Sequence, residues 1–321
     1  MIGTKLLVVG GAGLIGGAVA RALAADPGVE VVVVDRLGPE SAQKWRALPD
    51  RLHDLIAPED LDRWLAAHWR SVAGYHYFAE DNAAARDADA AFASAYHGAR
   101  AAWAWCAAKQ RPFVYASSAQ VYGADKAGVS ADPDVIASYR PRTAFGRAKQ
   151  LFDLACARDS ARGEAPPHWT GLRLFTAYGV GEAHKAAYRS VPFRAAAAAA
   201  EGAPAELWRS TDPRRADGTE ARDYVHADDV GAAAAFLTLR DQGGGFVEIG
   251  SGETAETLDI ARWAFAALNR QLHVTFTDPP AFSPPAPARP ADLAPLHAAG
   301  FAGAMRPARD GVAALARAMA A

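Results

Sequence analysis

The segment Lys5 to Gly16, KLLVVGGAGLIG, constrains this chain more than any other stretch. An apolar run, Leu6 to Val9, stops at a glycine cluster, and Leu14, Ile15, Val19 and Leu23 then recur at helical spacing. The pattern is strand, tight turn, helix, with Gly10, Gly13 and Gly16 at the turn. Glycine there lets the backbone turn sharply and approach a pyrophosphate, while the helix that follows presents unpaired N–H groups and the positive end of its dipole. Glycine clusters also make ordinary turns. Here, however, a second apolar run, Val29 to Val34, ends in Asp35, about 20 residues on, where a carboxylate can accept from the adenosine ribose. The expectation is a site for NAD or NADP.

The rest of the first half alternates in the same way. A polar loop leads to Leu52–Leu55, a short strand end, and Pro58 with Glu59 and Asp60 starts a helix, with the acids at its positive end. Val72 to Ala79 is a fourth strand and Phe113 to Ser117 a fifth, with long helices expected over Asp87–Lys109 and Thr143–Ala161. The aromatics of the first of these helices, Phe92, Tyr96, Trp103 and Trp105, suit core or subunit contacts better than a ligand box. Strands alternating with helices predict an α/β fold with a Rossmann-type, doubly wound parallel sheet. After Gly171–Thr176, another buried strand, the alternation weakens. Short strands at Glu206–Trp208, Ala221–Val225 and Phe246–Ile249, helices at Asp228–Leu239 and Thr257–Leu268, and a proline-rich connection at Pro279–Pro290 precede two short closing helices. The expected division is a cofactor-binding domain over 1–170 and a smaller substrate-binding region over 171–321. Segments near 171–178 and 221–250 should return to the first sheet.

With 321 residues, 51% of them hydrophobic, the chain can bury a large core. A formal net charge of -2 argues against nucleic acid or a membrane surface as partner, and no uncharged apolar run approaches membrane-spanning length. The sequence enters its first strand directly, so no signal peptide is expected. Cys106 and Cys156 lie inside helical patterns, as reduced core thiols of a cytoplasmic protein would. No metal site is expected.

The chemistry should lie beyond the fifth strand, in Tyr115-Ala-Ser-Ser118-Ala-Gln-Val-Tyr-Gly123, and in Phe145-Gly-Arg-Ala-Lys149. With the glycine turn, these segments resemble the extended short-chain dehydrogenase/reductase family of nucleotide-sugar enzymes, over the whole chain. Gly171–Gly179 looks like that family's strand into the substrate pocket, and Arg222–Val230 like its arginine–aspartate segment, which meets a substrate diphosphate. Glu182-Ala-His-Lys185, Ala216-Asp-Gly218 and Ala298-Ala-Gly-Phe301 are similar to segments of the ADP-glyceromanno-heptose 6-epimerases. Those enzymes invert C6 of a heptose of the lipopolysaccharide core by transient oxidation with tightly held NADP.

The resemblance implies roles residue by residue. Ser118 would share the substrate oxygen, Lys149 would hold the nicotinamide ribose, and Lys185 would be a second acid/base. Thr176, His184, Lys185 and Arg222 would meet the substrate. Leu14 and Ile15 at the glycine turn, Asp54 and Leu55 beside the adenine, and Ala79 after the fourth strand would complete the cofactor site. Asp35 alone favours NAD, whereas Arg36 and Lys44 can pair with a 2′-phosphate, so NADP is the expected cofactor, with NAD the alternative. The long helices of such enzymes pack across subunits, which implies a homo-oligomer, and the substrate would be an ADP-linked sugar.

One position departs from the pattern at the centre of the chemistry. The family's tyrosine, one helical turn before the lysine, is Phe145 here, and Tyr139 lies ahead of Pro141, outside the helix. Thr176, Ala95 and Glu248 stand where the family carries asparagines, and the aromatic of its late loop falls near Pro285. Two readings therefore stay open: a nucleotide-sugar epimerase, or a catalytically degenerate protein that binds cofactor and nucleotide sugar.

Overall fold

In the computed structural model, residues 4–38, 43–80, 87–123, 128–210, 212–238, 244–279 and 288–321 are described. The expected features at Leu239 and near Pro285 lie outside these residues. The first half runs β1 (Lys5–Val9), α1 (Leu14–Ala24), β2 (Glu30–Val34), β3 (Asp54–Ile56), α2 (Leu61–His68), β4 (Val72–Tyr77), α3 (Ala88–Lys109), β5 (Phe113–Ser118), α4 (Pro133–Ser138) and α5 (Ala144–Ala161). The second half continues with β6 (Trp169–Leu174), β7 (Thr176–Tyr178), α6 (Val191–Glu201), β8 (Ala205–Trp208), β9 (Ala221–His226), α7 (Ala227–Thr238) and β10 (Gly244–Ile249). It closes with β11 (Thr254–Glu256), α8 (Thr257–Ala266), β12 (Val274–Thr277), α9 (Ala294–Ala298) and α10 (Ala308–Ala320).

Seven strands form one parallel sheet in the order β10-β6-β5-β4-β1-β2-β3. The strand order reverses between β1 and β4, and the crevice beyond their carboxyl ends is where an open α/β sheet takes its ligand. Both faces are covered, which is why β1 and β2 read as continuous apolar runs rather than alternating ones. Helix starts follow local chemistry. The Asp87 carboxylate accepts from the N–H groups of Asp89 and Ala90 at the start of α3, and Thr143 Oγ1 accepts from Gly146 N at the start of α5.

The segment 171–176, expected as one strand, is divided. Phe175 leaves the main sheet after β6, and β7 pairs with β9 in a three-stranded sheet of order β11-β9-β7. A further pair, β8 with β12, was not legible because Val274–Thr277 is too short to show a period. The closing helix α10 spans 13 residues and is longer than the sequence suggested. Among the described residues, no helix is long and apolar enough to cross a membrane. Cys106 and Cys156 are both free and buried.

A buried ionic knot ties α5 to the sheet. Asp153 on α5 accepts from Tyr115 Oη (2.7 Å), Ser117 Oγ (2.9 Å) and Arg173 Nε (3.0 Å), and both members of the ion pair are fully buried. The Arg173 guanidinium lies 4.2 Å from the Phe246 ring centroid, and within 5.3 Å of those of Tyr122 and Tyr139. This knot sets the height of α5, and hence of Phe145 and Lys149, against the end of β5.

Candidate active site

The turn after β1 is built for close approach. Gly10 has φ +81°, and a Cβ there would meet backbone atoms of Phe78 and Ala79 at 2.6 Å. A Cβ on Gly16 would fall 2.1 Å from the Gly10 carbonyl oxygen, so no larger residue fits without opening the turn. Gly13 is the N-cap of α1 and supplies no side-chain acceptor, and the first helical turn carries no acid. The helix therefore starts with bare N–H groups and an uncancelled positive dipole end, which suits a pyrophosphate. Gly16→Ala is expected to abolish dinucleotide binding in a calorimetric titration while the protein stays folded by circular dichroism. Binding retained at wild-type strength would mean that the turn does not carry the phosphates.

A cleft of about 910 Å³ opens over this turn. Gly10, Gly13, Leu14, Ile15, Gly16, Asp35, Arg36, Lys44 and Ala79 all line it, and His184 and Lys185 reach it from the segment after β7. Asp35 Oδ2 accepts from Ala12 N (2.8 Å) and Oδ1 from Arg36 N (2.8 Å), and Lys44 forms an ion pair with the same carboxylate. Arg36 pairs with Glu59 at 3.2 Å, both exposed. Asp54 and Leu55 differ from expectation: they are exposed on the edge strand β3 and do not line the cleft. Pro58 and Leu61, just beyond the end of β3, line it instead.

Ser118 ends β5, and its Oγ accepts from Gln120 N at 3.1 Å. Thr143 Oγ1 donates to Gln120 Oε1 (2.9 Å), tying the start of α5 to the turn that follows Ser118. Phe145 and Lys149 share one face of α5, with Lys149 Nζ 5.5 Å from the Phe145 ring centroid. Lys149 is buried; its Nζ donates to the Ala116 carbonyl (2.6 Å) and forms an ion pair with Glu80. Glu80 lines the same cleft and was missed from sequence, although it directly follows Ala79. An acid at the carboxyl end of β4, beside the ligand crevice, was the signal available. Tyr139 follows α4 and is taken up in packing. It is buried, its hydroxyl donates to the Gly128 carbonyl (2.9 Å), and its ring packs on Tyr122 and Arg173.

In the segment after β7, Glu182 is buried and accepts from Gly179 N, Ser190 N and Ser190 Oγ, with Lys185 Nζ 3.7 Å away. Burial, together with the charges of Lys185 and Lys44, pushes His184 down to about 4, so its ring is neutral at neutral pH. His184 lines the same cleft as Asp35 and Lys44. Thr176 begins β7, and Arg222 on β9 faces Glu220 at 3.8 Å. Ala95 is buried in α3. Glu248 is buried in a bidentate pair with Arg289, at 2.5 and 2.8 Å, and accepts from Asp292 N (2.7 Å). Arg289 in turn lies 4.9 Å from the Tyr122 ring centroid and 5.3 Å from that of Phe175. Among the described residues there is no cluster of three or more His, Cys, Asp or Glu side chains that could hold a metal ion.

The parallel sheet, its reversal point and the glycine cradle define a protein of the Rossmann type. More narrowly, the sequence model of the NAD dependent epimerase/dehydratase family matches residues 6–250, and the chain belongs to that family. It is 30% identical over 279 residues to the ADP-L-glycero-D-manno-heptose-6-epimerase of Nitratidesulfovibrio vulgaris strain Hildenborough, covering 85% of this chain and 84% of that one. The crystal structure of the Helicobacter pylori ADP-L-glycero-D-manno-heptose-6-epimerase superposes with a TM-score of 0.80 at 21% identity, over 100% of this chain and 97% of that one. The UDP-glucose 4-epimerase of Thermus thermophilus, in complex with NAD, gives a TM-score of 0.76 at 22% identity, over 98% of each chain. The two structural matches speak for the fold.

Proposed function

We propose that this protein is a nicotinamide-dependent epimerase of a nucleotide-activated sugar, with an ADP-linked heptose as the substrate class. The observation that carries the reading is the convergence of the glycine cradle, Asp35, His184 and Lys185 on one cleft. Residues 1–170 would hold the cofactor and 171–321 the sugar nucleotide, with Thr176, His184, Lys185 and Arg222 on the substrate side. A bound nicotinamide would supply a two-electron acceptor and return the hydride. The chain's own task is to hold the sugar, move one hydroxyl proton and exclude water, with Ser118 sharing the reacting oxygen. A second reading, a cofactor- and sugar-binding protein without turnover, is favoured by Phe145, which has no proton to exchange. Incubation of the purified protein and its cofactor with ADP-heptose, followed by the absorbance of reduced nicotinamide and by product configuration, separates them. Bound cofactor that is never reduced selects the second reading, and no cofactor binding at all ends both.

NADP is the cofactor in this reading. Beside Asp35, a 2′-phosphate needs compensating charge, and Lys44 and Arg36 both line that end of the cleft. Arg36→Ala is expected to weaken NADP by roughly the 1.5–3 kcal/mol of a charge-assisted hydrogen bond, and NAD hardly at all. Equal weakening of both would exclude Arg36 as a reader of the phosphate. The protein is also read as a cytoplasmic homo-oligomer assembled through α3 and α5. Light scattering should give a multiple of 33.8 kDa, and a mass of one chain would contradict the assembly.

A further inference from the structure

We propose that Glu80 is the group that takes and returns the substrate hydroxyl proton, with Lys149 holding its carboxylate; this inference rests on the epimerase reading above. Four observations carry it. Lys149 is buried, and its Nζ is fixed by the carbonyl of Ala116, two residues before Ser118, so the ammonium sits beside the end of β5. The side chain one helical turn earlier on the same face, Phe145, has no exchangeable proton, and its ring is 5.5 Å from that nitrogen. The anion that the ammonium does stabilise is Glu80, delivered from just beyond the carboxyl end of β4. The Glu80 side chain is 26% exposed and lines the dinucleotide cleft, so one carboxylate oxygen can be held while the other meets a ligand.

A carboxylate is an acceptor when ionised and gains an O–H donor when protonated, so it can serve in both directions. On oxidation, the carbinol O–H bond breaks and its proton passes to a Glu80 oxygen. The C–H bond breaks with its electron pair leaving as hydride for the oxidised nicotinamide, and a C=O bond forms. In the return step the hydride reaches the other face of the carbonyl and Glu80 gives the proton back. Sugar and cofactor end at their starting oxidation levels, with one centre inverted. A bare counter-ion role is the competing account, since a buried ammonium needs a partner whether or not that partner reacts.

The test uses the intact protein with Glu80→Gln and Glu80→Ala. Melting temperature monitors folding, calorimetry the affinity for NADP, and turnover is followed with an ADP-linked heptose, with and without added formate. The expected result is a fall in kcat of ~10²–10⁴ in both variants, with NADP affinity and KM nearly unchanged. Formate should restore part of kcat in Glu80→Ala, where it can occupy the vacated space, and not in Glu80→Gln, where the amide still fills it. Wild-type turnover in either folded variant would overturn the proposal while leaving the epimerase reading standing. A loss that formate leaves untouched and that tracks a loss of NADP binding would also overturn it, in favour of the counter-ion account. Wild-type protein that binds NADP and never reduces it would overturn both.

Discussion

Phe145→Tyr, introduced into the Glu80→Ala protein, is expected to return most of the turnover that the alanine removes, a gain of ~10²–10⁴. Residue 145 lies one helical turn before Lys149, and the Thr143 cap holds this first turn of α5 in place. Without Glu80, the ammonium keeps no anionic partner among the described residues, so its charge is free to lower the pKa of a new phenol nearby. Phe145 is half-buried at the entrance of α5, and one added oxygen there costs little in packing. Lys149→Met in the same background should cancel the gain, because the phenol then loses the charge that ionises it. Measured in one steady-state assay with an ADP-linked heptose, a double variant no faster than Glu80→Ala would show that residue 145 does not face the reacting oxygen.

Arg173→Met is expected to destabilise the fold by ~3–5 kcal/mol at neutral pH, read from the urea midpoint, because it strands the Asp153 carboxylate in the core. Burial already pushes Asp153 above the usual carboxylate range, even though Arg173, Tyr115 and Ser117 all pull it back. Removing the guanidinium takes away the strongest of these opposing influences and raises Asp153 further. A carboxyl group whose folded pKa is raised favours the folded state below its unfolded pKa and loses that contribution as pH rises through the folded value. The Arg173→Met deficit should therefore be largest at neutral pH and shrink as the medium is acidified and Asp153 becomes neutral. Adding Asp153→Asn should recover much of the loss, since removing both members of a buried pair costs far less than removing one. A deficit that does not change with pH would mean that lost aromatic packing, and not the stranded charge, sets the cost.

Much of this protein was determined by sequence alone because the signals are local. The turn from Gly10 to Gly16 is dictated by space within a single loop, where a Cβ on residue 16 would strike the oxygen of residue 10. The caps Asp87 and Thr143 act within three residues, and the apolar runs of β1 and β2 declare a sheet covered on both faces. The spacing of Phe145 and Lys149, one helical turn apart, is also a one-dimensional observation. What only the tertiary structure decided is how charges from distant parts of the chain pair. Lys149 finds Glu80, Glu248 finds Arg289, and Tyr139 is taken up by the Arg173 knot instead of the site. Single charged residues carry no period and no fixed spacing, so their partners are chosen by which strand ends and helix faces the topology brings together. The handover at Phe175 is of the same kind. Leu174 and Thr176 are two residues apart in one expected strand, yet β6 pairs with β10 and β7 with β9, because hydrogen-bonding edges supplied by later strands divide them.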